Sequence, residues 1–329
     1  MPGKQYRLLR KIASVPITAG GFAQIDLPRD YDYESVYLRL SASVAVSAAA
    51  ATSVRAEAPT QAVSRVELIS DGKNTIYSAP MWFASLGNYQ RSLLESGARV
   101  TTPPSGVAVA TYAVEAIGSI DLMNTDGARP KDSNFRSSQL SLLQLRLTFG
   151  LAADMFVVGA ATVAYSGSPV VDVFVQQLVE LPDMEGKFTS PIALKKVSFQ
   201  EIAVTASNAN QELRLPAGNL IRSVFLRGAG DVTAGEPSTG IFNNVQLAAG
   251  MDVRVNVSGT NLRAKNNADI GQMTAGYYVA DVAMKGNADS LMSELWDCSG
   301  AAEPKVIMDV VGGANVKVSA VVTEFIGAN

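Results

Sequence analysis

Apolar and polar positions alternate with period two along most of this 329-residue chain, which is the pattern of half-buried strands. Phe22, Gln24 and Asp26 alternate with Ala23, Ile25 and Leu27, and Pro28 ends the run. Further strands are predicted at 36–46, 63–69, 74–77, 107–122, 139–149 and 170–181. Asp71-Gly72, between two of these runs, is a strong hairpin signal. The rest of the chain predicts strands at 197–206, 211–216, 221–228, 242–249, 252–257, 277–284, 306–311 and 316–325, with Gly312-Gly313 as a hairpin or bulged turn joining the last two. Three segments have helical spacing instead. Residues 81–96 and 261–273 predict helices, and 4–12 (KQYRLLRKI) fit a short amphipathic helix with Lys4, Arg7 and Lys11 on one face. Residues 47–61, Ala-rich and then polar, read as an exposed loop.

The chain carries one segment twice. QIDLPRDYDYESVYLR, 24–39, and ELRLPAGNLIRSVFLR, 212–227, match at a constant offset of 188 residues. The identical pairs are Leu27/Leu215, Pro28/Pro216, Ser35/Ser223, Val36/Val224, Leu38/Leu226 and Arg39/Arg227. A period this long exceeds the ~20–50 residues of a solenoid or propeller unit and indicates a duplicated domain. Each half then has about eight short strands, with a helix after the sixth. The fold class is all-β: two tandem eight-stranded antiparallel jelly rolls, a double jelly roll, each with a short inserted helix. The predicted organisation is a basic N-terminal arm at 1–15, a first jelly roll at 16–181, a linker at 182–196 and a second jelly roll at 197–329. An immunoglobulin-like sandwich fits less well, because both halves carry a helix at the same place and neither has a Cys…Trp…Cys pattern.

Composition narrows the chemistry. Hydrophobic residues make up 47% and charged residues 17%, yet no apolar run is long enough for a spanning helix and no signal peptide is evident. Such a chain is expected to cover large neutral surfaces with other subunits. It has no histidine, the commonest general base and metal ligand. The single cysteine, Cys298, excludes an intrachain disulfide and reads as a small buried thiol. Asp121, Asn124 and Asp126 lack the glycine and distal glutamate of a calcium loop and read as loop residues. Trp82, Phe83 and Tyr89 read as helix-to-sheet packing, with an intersubunit contact as the sharper alternative. No catalytic residue, cofactor site or metal site is predicted, and the chain is expected not to be an enzyme. The net charge of −3 argues against a general nucleic-acid binder, and no sequence-specific nucleic acid is expected as a partner. Lys4, Arg7, Arg10 and Lys11, however, all precede the first acidic residue, Asp26, and form a candidate contact with an anionic surface or a neighbouring subunit.

From Ser14 to Asn329 the architecture and repeat resemble the double jelly-roll major capsid proteins of tailless, membrane-containing icosahedral bacteriophages, the lineage shared with adenovirus hexon. The resemblance implies a structural protein of the virion shell, assembled in the host cytoplasm. Its homotrimers would form pseudo-hexagonal capsomers, three chains supplying six alike jelly rolls, that tile an icosahedral shell around an internal membrane and genome. It implies as partners the chain itself, a vertex or penton protein and the internal lipid membrane, the last through Lys4, Arg7, Arg10 and Lys11. Loops 47–61 and 229–240 would project outward, and the helix loops 81–96 and 261–273 would lie near subunit contacts. A spike or vertex protein, or a jelly-roll carbohydrate-binding protein, is the alternative. The first would favour asymmetric halves, and the second an aromatic platform.

Overall fold

A computed structural model describes residues 5–87, 108–123, 133–180, 193–230, 236–271, 273–282, 295–298, 300 and 303–327. The chain forms two compact units. The first comprises 1–89, 94–124 and 134–191; the second comprises 90–93, 125–133 and 192–329.

The main strands of the first unit are β1 (Gln5–Pro16), β2 (Phe22–Asp26), β3 (Asp32–Ser47), β4 (Val63–Ser70), β5 (Asn74–Ala79), β6 (Ala110–Asp121), β7 (Leu143–Phe149) and β8 (Thr162–Glu180). They form one sheet in the order β1-β8-β3-β6 and another containing β2-β7-β4-β5, all antiparallel. The main strands of the second unit are β9 (Ala193–Ala203), β10 (Asn208–Arg214), β11 (Leu220–Ala229), β12 (Phe242–Ala249), β13 (Asp252–Ser258), β14 (Tyr277–Asp281), β15 (Pro304–Val310) and β16 (Lys317–Gly327). Their orders are β9-β16-β11-β14 and β10-β15-β12-β13. Among the described residues, the second unit thus repeats the strand order of the first in both sheets.

Alternation builds the cores. In the first unit Val36, Leu38, Leu40 and Val44 on β3, and Val171, Val173 and Val175 on β8, have no exposed surface. Leu143, Leu145 and Leu147 on β7, with Val66 and Leu68 on β4, are buried as completely in the other sheet. In the second unit Val224, Leu226, Val245, Leu247, Val306, Met308 and Val322 belong to one apolar cluster. The repeated positions are structurally equivalent. Val36 pairs with Val175 and Ile120, and Val224 with Val322 and Ala280. Leu27 and Leu215 each follow the second strand of their unit, and their N–H groups donate to Leu143 and Pro304, the first residues of β7 and β15. Pro28 and Pro216 follow directly, where the ladder no longer needs a donor.

The predicted hairpin at Asp71-Gly72 joins β4 to β5, with both residues at positive φ, 51° and 71°. That backbone matches the twist of the flanking strands. The other predicted turn is different. Gly312-Gly313 connects β15 to β16, which belong to different sheets, so no hairpin forms there. A Cβ on Gly312 would lie 2.1 Å from the backbone carbon of Ala206, so that position admits only glycine without a backbone shift.

Three further sequence expectations are corrected. Residues 4–12 are not a helix: from Gln5 onward the segment is β1, paired residue by residue with β8. Sheet pairing overrides a weak helical period in so short a segment. The helical insert follows the sixth strand in the first unit only when the short strand Ser53–Val54 is counted, and it follows the fifth in the second. There the chain leaves one sheet for the edge of the other, a crossing that a tight turn cannot make. In the first unit Met81 and Trp82 open it and a π-helical turn, Phe83–Gly87, continues it; 88–96, with Tyr89, lie outside the described residues. In the second unit it is α1 (Gly259–Ile270), capped by the Ser258 side chain accepting from the N–H of Asn261 at 3.2 Å. Finally, 47–61 is not a wholly exposed loop. Ser53–Val54 pairs with Phe156–Val157, and Ala58, Pro59, Thr60 and Ala62 in the 3-10 turn Ala58–Ala62 are buried. A short peptide inserted between Ala48 and Ala49, in the exposed stretch, should therefore leave the melting temperature within about 2 °C, whereas the same insertion after Ala58 should lower it strongly. Thermal unfolding of the two variants checks this.

Most of 182–196 lies outside the described residues, but Ala193 to Lys196 already belong to β9.

Candidate assembly surface

The sheet β1-β8-β3-β6 turns one face to its core and the other away from it. Rows of side chains on the outward face follow from the register. Lys11, Phe174, Tyr37 and Ser119 form one row, and Leu9, Gln176, Ser35 and Asp121 the next. Leu9 is 63% exposed and Tyr6, near the end of the same strand, 53% exposed. Phe174, Tyr37, Ile117 and Leu178 on this face are half-buried. Charged groups lie between these apolar ones, including Arg39, which donates to Glu115 at 2.8 Å.

The equivalent face of the second unit has a different character. Its matching row is Phe199, Val321, Phe225 and Val279. The last three of these are no more than 1% exposed. Arg227, the repeat equivalent of Arg39, is buried, and all ten residues of β11 are buried although a strand in a sandwich shows only one face to its core. The two units therefore share a backbone plan, but the outer sheet face is an open apolar and charged surface only in the first.

Three of the four predicted basic residues fall on β1, and each has an acidic partner. The Arg7 guanidinium grips the buried Glu34 carboxylate in a two-point contact at 2.7 and 2.8 Å. Arg10 donates to both oxygens of Asp30, at 2.8 and 2.9 Å, and to Gln177. Lys11 lies 2.7 Å from Asp172. Lys4 lies outside the described residues. The charges seen as unpaired in the sequence are thus paired across strands, by partners 20 to 161 positions away that periodicity could not reveal.

Hydrogen bonds from Lys11 and Ser14 hold the Asp172 carboxyl below the usual carboxylate range. Burial alone would raise Asp30, but hydrogen bonds from Arg10 and Gln177 outweigh it and leave that carboxyl lowered too. A lowered carboxyl stabilises the fold above its ordinary value of 3.8, and the contribution is lost as pH falls below that value. Because both pairs are partly solvated, each contributes less than about 1 kcal/mol. Asp172→Asn should make the loss of stability between about pH 5 and pH 2 shallower than in the unaltered protein, as read by urea unfolding.

Among the described residues, none of the candidates singled out in the sequence is assembled into a catalytic site. Cys298 is fully buried, and burial pushes its thiol up to about 11, so it stays protonated at neutral pH. Asp121 ends β6 and accepts from the Ser119 hydroxyl at 2.5 Å, while Asn124 and Asp126 lie outside the described residues. Among the described residues no three acidic, Cys or His groups cluster to hold a metal, and no helix is long and apolar enough to cross a membrane. Trp82 and Phe83 are buried, with their rings in edge-to-face contact at 6.3 Å.

No protein-family model matches the sequence, and no curated protein matches it. Solved structures do match. The major capsid protein of Sulfolobus Turreted Icosahedral Virus superposes with a TM-score of 0.76 at 15% identity, covering 98% of this chain and 97% of that one. The major capsid protein P2 of bacteriophage PM2 gives 0.57 at 11% identity, over 98% and 97% of the two chains. A chain of the PBCV-1 virus capsid gives 0.59 at 12% identity, over 98% and 94%. At such low identity the likeness lies in the path of the chain, and it spans both units: this protein has the double jelly-roll fold of viral major capsid proteins.

Proposed function

We propose that the chain is a viral major capsid protein, divided into jelly rolls at about residue 192. Its homotrimers form pseudo-hexagonal capsomers that tile an icosahedral shell around a membrane and genome. The observation that carries this reading is the repeated strand order, β1-β8-β3-β6 and β9-β16-β11-β14, in a chain superposable along nearly its whole length on capsid proteins. Two alike but unequal units per chain are what a threefold assembly needs in order to present six similar edges to its neighbours. The outer face of the first unit, with Leu9, Tyr37 and Phe174, is the trimer surface, and it should bury more than about 2,000 Å² in total. The shell, assembled in the host cytoplasm, is closed by a vertex protein. Imaging of assembled particles and native mass spectrometry test the proposal. Trimers and closed shells are expected; a chain that stays monomeric at high concentration would sink it.

The inner-face role of Lys4, Arg7, Arg10 and Lys11 belongs to the same proposal. Three of them cluster on one strand, but their acidic partners reduce the free charge below the ~1 kcal/mol per residue of an unpaired cation at an anionic bilayer. Many copies on a closed shell add these small terms together. Reversing all four charges would set a glutamate at position 7 against Glu34 and damage the fold, so the informative variant is Lys4→Gln with Lys11→Gln. It should form trimers normally and lose severalfold in flotation with vesicles of anionic lipid. Unchanged flotation would exclude the role.

A further inference from the structure

Glu324 is a carboxylate with no exposed surface at one end of the second unit's core. It lies on β16, directly opposite Lys196 on β9 and Ile221 on β11. Ile221 and Val322 beside it belong to the apolar cluster, so water is largely excluded from this face. One carboxylate oxygen, Oε2, accepts from the side-chain amide of Asn219 at 2.6 Å. The other, Oε1, lies 3.3 Å from the Lys196 ammonium and accepts no aligned hydrogen bond. A single buried carboxylate therefore touches both an amine, from the flanking strand β9, and a primary amide, from the residue just before β11.

As ion pairing alone, this is a costly arrangement, because a buried charge loses its hydration and gains one imperfectly aligned partner. As chemistry, the same three groups make a complete set. Lysine is a nucleophile once it is deprotonated, asparagine is an acyl donor with ammonia as its leaving group, and a carboxylate in contact with both can carry the proton between them.

We propose that Lys196 and Asn219 become joined by an intramolecular isopeptide bond, with Glu324 as the catalytic residue. Glu324 takes one proton from the Lys196 ammonium. The freed Nζ attacks Cγ of Asn219, and the Cγ–Nδ2 bond breaks as the Nζ–Cγ bond forms. Glu324 returns its proton to the departing nitrogen, which leaves as ammonia and takes up the second proton shed by Nζ. An ammonium and a primary amide thus become a secondary amide and an ammonium ion, with no oxidant or co-reactant. The shared contact with Glu324 holds the amine and the amide at one buried site, and that positioning is what makes the exchange fast enough to occur. Lys196 keeps 31% of its side chain exposed, which leaves the ammonia a way out. The link ties β9 to β11 across β16 and locks three adjacent strands covalently. The matching positions in the first unit are Leu8, Gln177 and Tyr31, which cannot react this way, so the bond is confined to the second unit.

Mass spectrometry of the intact, denatured full-length chain tests this. The folded protein should be lighter than its sequence by one ammonia, about 17 Da, and fragmentation of a digest should place the branch between Lys196 and Asn219. Lys196→Arg keeps the charge opposite Glu324 but should show the full mass, as should Asn219→Ala. Glu324→Gln should slow or abolish the mass loss. A succinimide at Asn219 has the same mass but would persist in Lys196→Arg; that result would overturn the proposal. So would folded, unaltered protein that retains its full mass after prolonged incubation.

Discussion

Truncating Leu226 to alanine is expected to lower the unfolding free energy by about 2–5 kcal/mol, and Leu38→Ala by a similar amount. Neither residue has exposed surface. Leu226 pairs with Ala320 and Tyr278 across the sheet, and Leu38 with Val173 and Gly118. Small neighbours such as Ala320 and Gly118 cannot swing in to fill the space, so the cavity remains and its cost adds to the lost transfer energy. Because the two leucines belong to separate units, the losses should appear in separate transitions if the units unfold independently, each in the transition of its own unit. Urea unfolding followed by tryptophan emission checks this, since Trp82 lies in the first unit and Trp296 in the second. A loss below about 0.5 kcal/mol at either position, the range of ordinary surface substitutions, would contradict the burial that defines the repeat.

Leu9→Asp combined with Phe174→Asp is expected to abolish trimers while leaving the first jelly roll folded. Both side chains stand on the outward sheet face, Leu9 63% exposed and Phe174 half-buried, so the core loses little. In the assembly an apolar anchor of this kind is worth about 2 kcal/mol, roughly thirtyfold in the association constant, and a buried unpaired carboxylate would cost more. Sedimentation over a range of concentrations reads the result, with circular dichroism as the control for folding. The matched pair of substitutions at Val197 and Val321, the equivalent places in the second unit, should instead destabilise the fold, because both are already buried within the single chain. Trimers of undiminished stability from the first variant would place the subunit contact on another surface.

The hairpin at Asp71-Gly72, all eight strands of the second unit and the equivalence of Leu27 with Leu215 and Leu38 with Leu226 were legible in the residues alone. They rest on local signals: period-two alternation, a dipeptide that accepts positive φ, and a repeat whose spacing needs no structure to see. Tertiary structure decided the rest, because the deciding contacts are remote in sequence. Residues 5–16 became a strand because β8 offers a partner more than 150 positions away. The basic residues Arg7, Arg10 and Lys11 acquired Glu34, Asp30 and Asp172 by cross-strand registry. Part of 47–61 became packed through its pairing with Phe156–Val157. Lys196, Asn219 and Glu324 carry no motif and span more than a hundred residues; only the order β9-β16-β11 places an amine and an amide on one buried carboxylate. A strand's own sequence states that one face is apolar. Which neighbour it meets, and therefore which of its polar groups are satisfied, is a property of the sheet.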